Sequence, residues 1–315
     1  MNSGIIQRLG MSLITLWLLS LIVFAAVYLL PGDVARAVLG PMANSDAVRV
    51  LNEQLGLNRP LAVQYVDWLS HTFVGDLGDS LRYRKPVAPM IADALWNSVK
   101  LGGVAFLIVI PISIVGGVVS GLQAGRWPDK LITNIGLVTM VLPEFVSSIM
   151  LILLLGIWWP IFPVTAQAPA GSGVLQQVYH LILPSIPLVL ILFGYIARMA
   201  RAGVIDAYSA DYTRTAVLKG LPARVVVLKH VMRNALIPTI AVVATQAGYV
   251  IGGLVVVETL FHYRGIGSLI YEAAKAKDFP LLVGGVVAVG AVYTICTVIG
   301  DMLLLVLDPR LRRKV

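Results

Sequence analysis

Charge is scarce in this sequence. Only 13% of its residues are Asp, Glu, Lys or Arg, about half the share of a soluble globular domain. A chain of 315 residues with so little charge does not cover itself with a solvated surface. Cysteine occurs once, as Cys296, which excludes an intrachain disulfide. Set in an apolar run, it reads as a small buried residue. The phosphate-binding pattern GxxxxGK[ST] is missing, so this chain does not itself hydrolyse ATP. HExxH and GxSxG are missing too, and the four histidines (His71, His180, His230, His262) lack metal-ligand spacing. No catalytic residue and no metal site is expected. The net charge of +8 comes without an aromatic-basic module, so nucleic acid is not an expected partner. There is no internal repeat and no low-complexity tract.

Apolar residues fill the space instead, at 58% of the chain, with a mean hydropathy of +0.87. Charge-free runs cover 9–30, 101–125, 145–197, 234–257 and 279–300. A membrane helix needs about 20 such residues to cross about 30 Å of hydrocarbon. The run at 145–197 is too long for one helix, and the Gly-, Pro- and Gln-rich stretch 165–177 divides it. Six spans are expected, near 9–30, 97–124, 131–159, 181–202, 235–257 and 279–307. The fold class is therefore an all-α integral membrane protein. The first run exceeds the apolar core of a cleaved signal peptide and is expected to stay in the membrane. Trp158-Trp159-Pro160 ends the third span with aromatic anchors and a breaker. Seven basic residues lie between Arg198 and Arg233, four lie between Arg310 and Lys314, and none lies in 160–180. The positive-inside rule then puts both termini in the cytoplasm, with Arg310 to Lys314 against anionic lipid headgroups. Gly117-Val-Val-Ser-Gly121 and Gly248-Tyr-Val-Ile-Gly252 are GxxxG patterns, which let helix backbones approach closely in lipid.

The basic internal segment at 203–235 stands apart from the rest. Asp211 to Gly220 has helix-forming residues, Leu221-Pro222 interrupts them, and Ala223 to Ile237 can form a second helix before Pro238. Val225, Val226, Leu228, Val231 and Met232 oppose Lys229 and Arg233 on that second helix. An amphipathic helix outside the bilayer buries its apolar face either in the headgroup interface or in a groove of another protein. Composition leaves both open.

The stretches "DYTRTAVLKG" (211–220) and "VLKHVMRNALIP" (227–238) resemble the cytoplasmic loop of permease subunits of ABC importers. The likeness is to the B-type permeases of the dipeptide, oligopeptide and nickel group. Arg214-Thr215-Ala216-x-x-x-Gly220 stands where the general loop has Glu-Ala-Ala-x-x-x-Gly, a departure that favours the peptide subgroup. "LPGDVARAVLGP" (30–41), "LGLNRPLAVQYVDWL" (55–69), "GDLGDSLRYRKPV" (75–87), "VVVETLFHYRGIGSLIYEAAKAKDFP" (255–280) and "LDPRLRR" (307–313) resemble further parts of that family in order along the chain.

The resemblance implies a type I importer permease fold. Residues 1–30 would hold the first span, 31–94 a periplasmic domain, 95–307 the membrane core with the coupling loop 203–235, and 308–315 a cytoplasmic tail. It implies half of a translocation pathway in the bacterial inner membrane, carrying peptides or related small solutes. The 206–235 loop would couple it to ATPase subunits. The implied partners are a second homologous permease, two ATPase subunits or domains that hold ATP and Mg, and a periplasmic or extracellular solute-binding protein. Tyr212, Ala216, Val217, Leu218 and Gly220 would dock on the ATPase, flanked by Asp211 and Thr215, with Arg214 and Lys219 at the polar rim. Gly220 and Pro222 would supply the bend. Tyr65, Trp68 and Tyr83 of the outer domain would contact the binding protein.

Glu144 follows Pro143 midway along the third span. An ionisable residue at that depth is costly and faces a cavity or a partner. Both are expected on the substrate pathway, where the carboxylate would favour cationic cargo. Pro111, Pro143, Pro184 and Pro187 are hinges or fixed bends. The segment 258–280 is a candidate for re-entry toward the cavity. Two other classes fit a polytopic chain without catalytic residues: a secondary transporter, against which the lack of an inverted repeat counts, and a non-transporting scaffold subunit.

Overall fold

The computed structural model describes residues 2–29, 36, 39, 42–54, 56 and 58–307. The stretch 30–41 lies almost wholly outside the described residues. So does the tail 308–315, with the basic cluster Arg310 to Lys314.

Every element is helical, and the only strand-like feature among the described residues is one bridge between Asp79 and Pro86. Helix α1 runs over Asn2–Leu29, α2 over Ser45–Gln54, α3 over Leu61–Phe73 and α4 over Val87–Leu122. Helix α5 is Trp127–Val141, and α6 is Glu144–Leu151, continued by a π-helical turn at Ile152–Trp158. Helix α7 spans Val174–Ser209 and α8 spans Asp211–Leu218, followed by α9 at Ala223–Ala235, π-helical at Val226–Val231. Helix α10 is Ile237–Gly253, α11 Val255–Leu260, α12 Ile266–Ala276 and α13 Phe279–Leu307.

Four stretches are long and apolar enough to cross a membrane alone: Gly10–Val27, Val87–Leu122, Val174–Ser209 and Phe279–Val306. Two bent pairs raise the number to six if each pair is one span. Helices α5 and α6 meet at 101°, and α9 and α10 at 46°. The spans thus fall where the apolar runs do, but the helices overrun them. Helix α4 begins ten residues before the expected start, and α7 extends past both expected ends. A helix of 36 residues is about 54 Å long, well over the hydrocarbon thickness. Charge sits toward the helix ends, as at Asp93 in α4 and Asp206 in α7. The hydrogen-bond ladder does not stop where hydropathy does.

Proline explains the sharpest feature. Pro111 in α4 and Pro184 and Pro187 in α7 lie inside continuous helices. Pro143 does not: Leu142 before it is extended (φ −66°, ψ 120°), and Pro143 itself caps α6. The pyrrolidine ring disfavours helical geometry in the residue ahead of it, and here the chain turns rather than kinks.

Helix α7 is the hub. It packs on α4, α5, α6 and α10 and on both loop helices, while α13 packs on α1, α10 and α12. Small residues recur every third position along α7 at Gly194, Ala197, Ala200 and Gly203. Steps of three rotate the exposed stripe by about 60° each, so successive small residues serve different partners. A Cβ on Gly194 would meet Gly136 of α5, and one on Gly203 would meet the Ala235 carbonyl of α9. Across the α4 contact the sequence pattern Gly117/Gly121 does the same. A Cβ at Gly117 would stand 2.5 Å from Ala197 O and Ala200 Cβ, and one at Gly121 2.7 Å from Val204 Cβ. Gly248 of the second pattern faces Tyr293 of α13.

Three apolar clusters follow. One joins α4, α7, α10 and α11 around Leu101, Val109, Leu192 and Phe261. A second joins α1, α3, α12 and the first turns of α4 and α13 around Phe24, Tyr65, Ile91 and Leu281. The third joins the end of α7 to α8 and α9. Gly121→Leu is expected to destabilise the purified protein by about 1–3 kcal/mol through overpacking. Gly103→Leu, with nothing within 4 Å of its Cβ position, should leave the thermal unfolding midpoint in detergent unchanged.

Candidate functional site

The loop between α7 and α10 is built as a rigid corner. Ala210 is extended and caps α8, whose first turn carries Asp211 toward the positive end of the helix. The Thr213 hydroxyl donates to the Ala207 carbonyl at 2.7 Å and is buried, tying α8 back to the end of α7. Helix α8 then ends in a Schellman motif. The Gly220 amide donates to the Val217 carbonyl at 2.9 Å and the Leu221 amide to Ala216 at 3.4 Å, with Gly220 at φ +72°. That left-handed position suits glycine and strains other residues. Pro222 follows and caps α9.

This corner sorts the loop residues into two faces. Ala216 packs inward with Val204, Ala207, Val226, Val231 and Ala235. It sits at 3% exposure, so it supports the loop and offers no surface to a partner. Val217 (55%), Leu218 (79%) and Leu228 (70%) point outward, with Tyr212, Leu221 and Val225 partly exposed beside them. Asp211, Arg214, Thr215, Lys219, Arg224 and Lys229 are exposed around that apolar tip. Apolar residues this exposed on a short, internally fastened corner make a surface that a groove can cover.

A second site forms at the Leu142–Pro143 break. An open cavity of about 610 Å³ is lined by Glu144, Tyr195, Gln246 and Tyr249 among apolar neighbours from α5, α6, α7, α10 and α11. Glu144 opens α6 and is the only charged residue among the described residues that line the cavity. Its carboxylate has neither a hydrogen bond nor an ion pair with any described residue. Pro143 lines the same wall.

At the opposite end of the bundle from α8, two buried carboxylates fasten the chain. Asp278 accepts hydrogen bonds from the Ser80 hydroxyl and from the Leu81 and Arg82 amides, holding residues 80–82 against the start of α13. Glu258 of α11 is fully buried; it accepts from the Ser98 hydroxyl of α4 at 2.5 Å and from the Ser268 amide at 2.9 Å. Ser98 in turn accepts from the Ile266 amide. The start of α12 is thereby pinned to α4, and α12 lies against α4 and α13. The aromatics of this end divide. Tyr65 is buried at 8%, its hydroxyl 2.8 Å from Ser20 and its ring edge-on to Phe24. Such a residue glues α1 to α3 and leaves little surface for a binding protein. Trp68 lies beside it, partly buried. Tyr83 is exposed, with its hydroxyl 2.7 Å from Glu272.

Sequence reasoning singled out the loop tip and Glu144 and did not single out Asp129, Arg201, Glu258 or Asp278. The three acids lie next to a turn or a helix end, where they also look like ordinary exposed end residues, and Arg201 lies in the basic stretch that precedes the loop. Nothing local says that another helix covers them.

The profile described as binding-protein-dependent transport system inner membrane component matches residues 113–313, and its N-terminal companion matches residues 1–101. The glutathione transport system permease protein of Escherichia coli (strain K12) is 32% identical over 317 residues, covering all of both chains. The probable peptide ABC transporter permease protein of Sinorhizobium fredii is 30% identical over 312 residues, covering 99% of this chain and all of the relative.

Burial pushes the Glu258 carboxyl up to about 7 from its ordinary 4.5, against the pull of the Ser98 hydroxyl and the Ser268 and Gly267 amides. A raised folded-state value favours the protonated fold. Its contribution is full below about 4.5 and is lost as pH rises through about 7. The thermal midpoint should therefore fall between pH 5 and pH 8, by the equivalent of about 3 kcal/mol at most. Glu258→Gln should flatten that slope.

Proposed function

Since the chain belongs to the family of binding-protein-dependent transport system inner membrane components, it is a permease subunit of an ABC importer, and we propose that it drives cargo uptake through the α8–α9 corner. It is a multi-pass inner membrane protein and not an enzyme. ATP is hydrolysed on a separate subunit, and a substrate-binding protein works with the permease. The relatives support this reading over a secondary transporter or a scaffold.

The exposed apolar tip of Val217, Leu218 and Leu228 carries the proposal. On it the ATPase subunit seats Tyr212, Val217, Leu218 and Gly220 in a groove, with Asp211, Arg214, Thr215 and Lys219 at the edge. Ala216 holds the tip in shape from behind. ATP and Mg sit on two such ATPase subunits or domains. A second homologous permease completes the pathway, because the cavity at Glu144 is open on one side. Both termini then lie in the cytoplasm with α8 and α9. The cap around Tyr83, with Trp68 behind it, faces a periplasmic or extracellular solute-binding protein. Nucleotide binding shifts a two-state equilibrium of the membrane helices by acting through the tip.

The cargo is a peptide or a peptide-like solute. The names of the glutathione and peptide permeases support that class, and the unpaired Glu144 carboxylate supports a cationic group on the cargo. Tyr195, Tyr249 and Gln246 supply ring faces and an amide beside it.

Leu218→Asp changes an exposed side chain without touching the buried contacts of the corner. The ATPase subunits are expected to be lost from the detergent-purified complex while membrane insertion stays normal; full co-purification with intact transport would refute the docking. Glu144→Gln should reduce the preference for a free-amine tripeptide over its N-acetylated form by about tenfold, the worth of one charge-assisted contact. Uptake assays in proteoliposomes read the ratio.

A further inference from the structure

An ion pair with a buried acid and a partly exposed base lies between the loop and the cavity. Asp129, in the first turn of α5, is only 3% exposed. Arg201 of α7 grips it in a bidentate arrangement, Nε to Oδ1 at 2.5 Å and an Nη to Oδ2 at 2.8 Å. Three more donors converge on the same carboxylate: the Ser120 hydroxyl of α4, the Gly125 amide at 2.8 Å and the Thr133 hydroxyl at 3.2 Å. One carboxylate thus ties together α4, the short turn after it, α5 and α7.

We propose that Asp129 and Arg201 are positioning residues that lock α5 to α7, so that displacement of the α8–α9 corner reaches the break beside Glu144. This rests on the reading of that corner as the ATPase contact.

The covalent path favours it. From Arg201 the helix runs unbroken to Ser209, about 12 Å, and α8 is fastened to that end through Thr213. From Asp129, α5 runs unbroken to Val141, about 18 Å, and the break follows at once. The pair therefore joins the two rods at the far end of α5 from the hinge. Higher up, α5 meets α7 at Gly136 and Gly194, with the Met140 side chain over Gly194 and Phe193 beside Gly136. Those contacts are apolar and non-directional. The fork of Arg201 on a carboxylate held by three other donors resists shear in two directions. Stability alone is a poor reason for the pair, because apolar residues of similar size usually serve a buried contact as well as an ion pair does.

The test uses the full complex in proteoliposomes, in a Cys296→Ser background with Phe145→Cys placed in the cavity wall. The readout is the rate of alkylation by a maleimide, with and without vanadate-trapped nucleotide. With the pair intact, trapping is expected to change the rate. With Asp129→Asn or Arg201→Gln, the ATPase subunits stay bound and hydrolysis continues. The nucleotide-dependent change shrinks by about tenfold, within the range seen for residues that couple distant sites. Arg201→Lys, which keeps the charge but not the fork, should fall between. Ser120→Ala is the milder variant should Asp129→Asn not insert, and it should also weaken the response. An undiminished response in these variants overturns the proposal. So does loss of the ATPase subunits from Asp129→Asn, since that would make the pair part of the docking surface. A pair-intact complex whose cavity ignores nucleotide sinks the coupling reading itself, and Leu218→Asp tests that reading separately.

Discussion

Hydrocarbon offers the backbone no hydrogen-bond partner, and the rest of this structure follows from that constraint. Each crossing segment must satisfy its own amides and carbonyls, so it is helical. Helices in lipid gain nothing by burying apolar faces against one another, so close backbone approach does the work instead. The small residues along α7 meet that demand on several sides at once, against Gly117 of α4, Gly136 of α5 and Ala235 of α9. The sharper of the two bends among the described residues, at Leu142 and Pro143, borders an open cavity.

Polar side chains obey the same rule and divide into two kinds. Asp129, Glu258 and Asp278 are buried, each with several donors. All three join elements distant in the chain or across a turn, and they hold the ends of the bundle in register. Glu144 is of the other kind. It has no described partner and faces open volume. A carboxylate left without donors is expensive to keep as mere scaffold, and its place beside two tyrosines and an amide suits a passing cationic group.

Force transmission then has a simple physical form. The corner of α8 and α9 is stiff because Thr213, Gly220 and Ala216 fix its geometry from within. In the proposed coupling, helix α7 carries the corner's motion into the membrane and the Asp129–Arg201 fork passes it to α5. On that proposal the proline break is the weak point downstream, beside the cavity.

The order of residues determined several things unaided. The spans could be read because twenty apolar residues in a row have few other fates. The corner could be read because Gly220 and Pro222 impose their backbone angles locally. The break at Pro143 was not legible in this way, because Pro111, Pro143, Pro184 and Pro187 read alike and only Pro143 interrupts its helix. Helix ends were misjudged because hydropathy marks the edge of lipid, whereas α4 and α7 continue as long as their hydrogen bonds do. What only the tertiary structure decided was direction: that Ala216 turns inward while Leu218 turns out, that Tyr65 is glue, and that Asp129 meets Arg201 across 72 residues of chain. Composition gives each residue its chemistry, but whether a side chain is paired or free depends on which helix lies opposite. That is settled only when the whole bundle closes around α7.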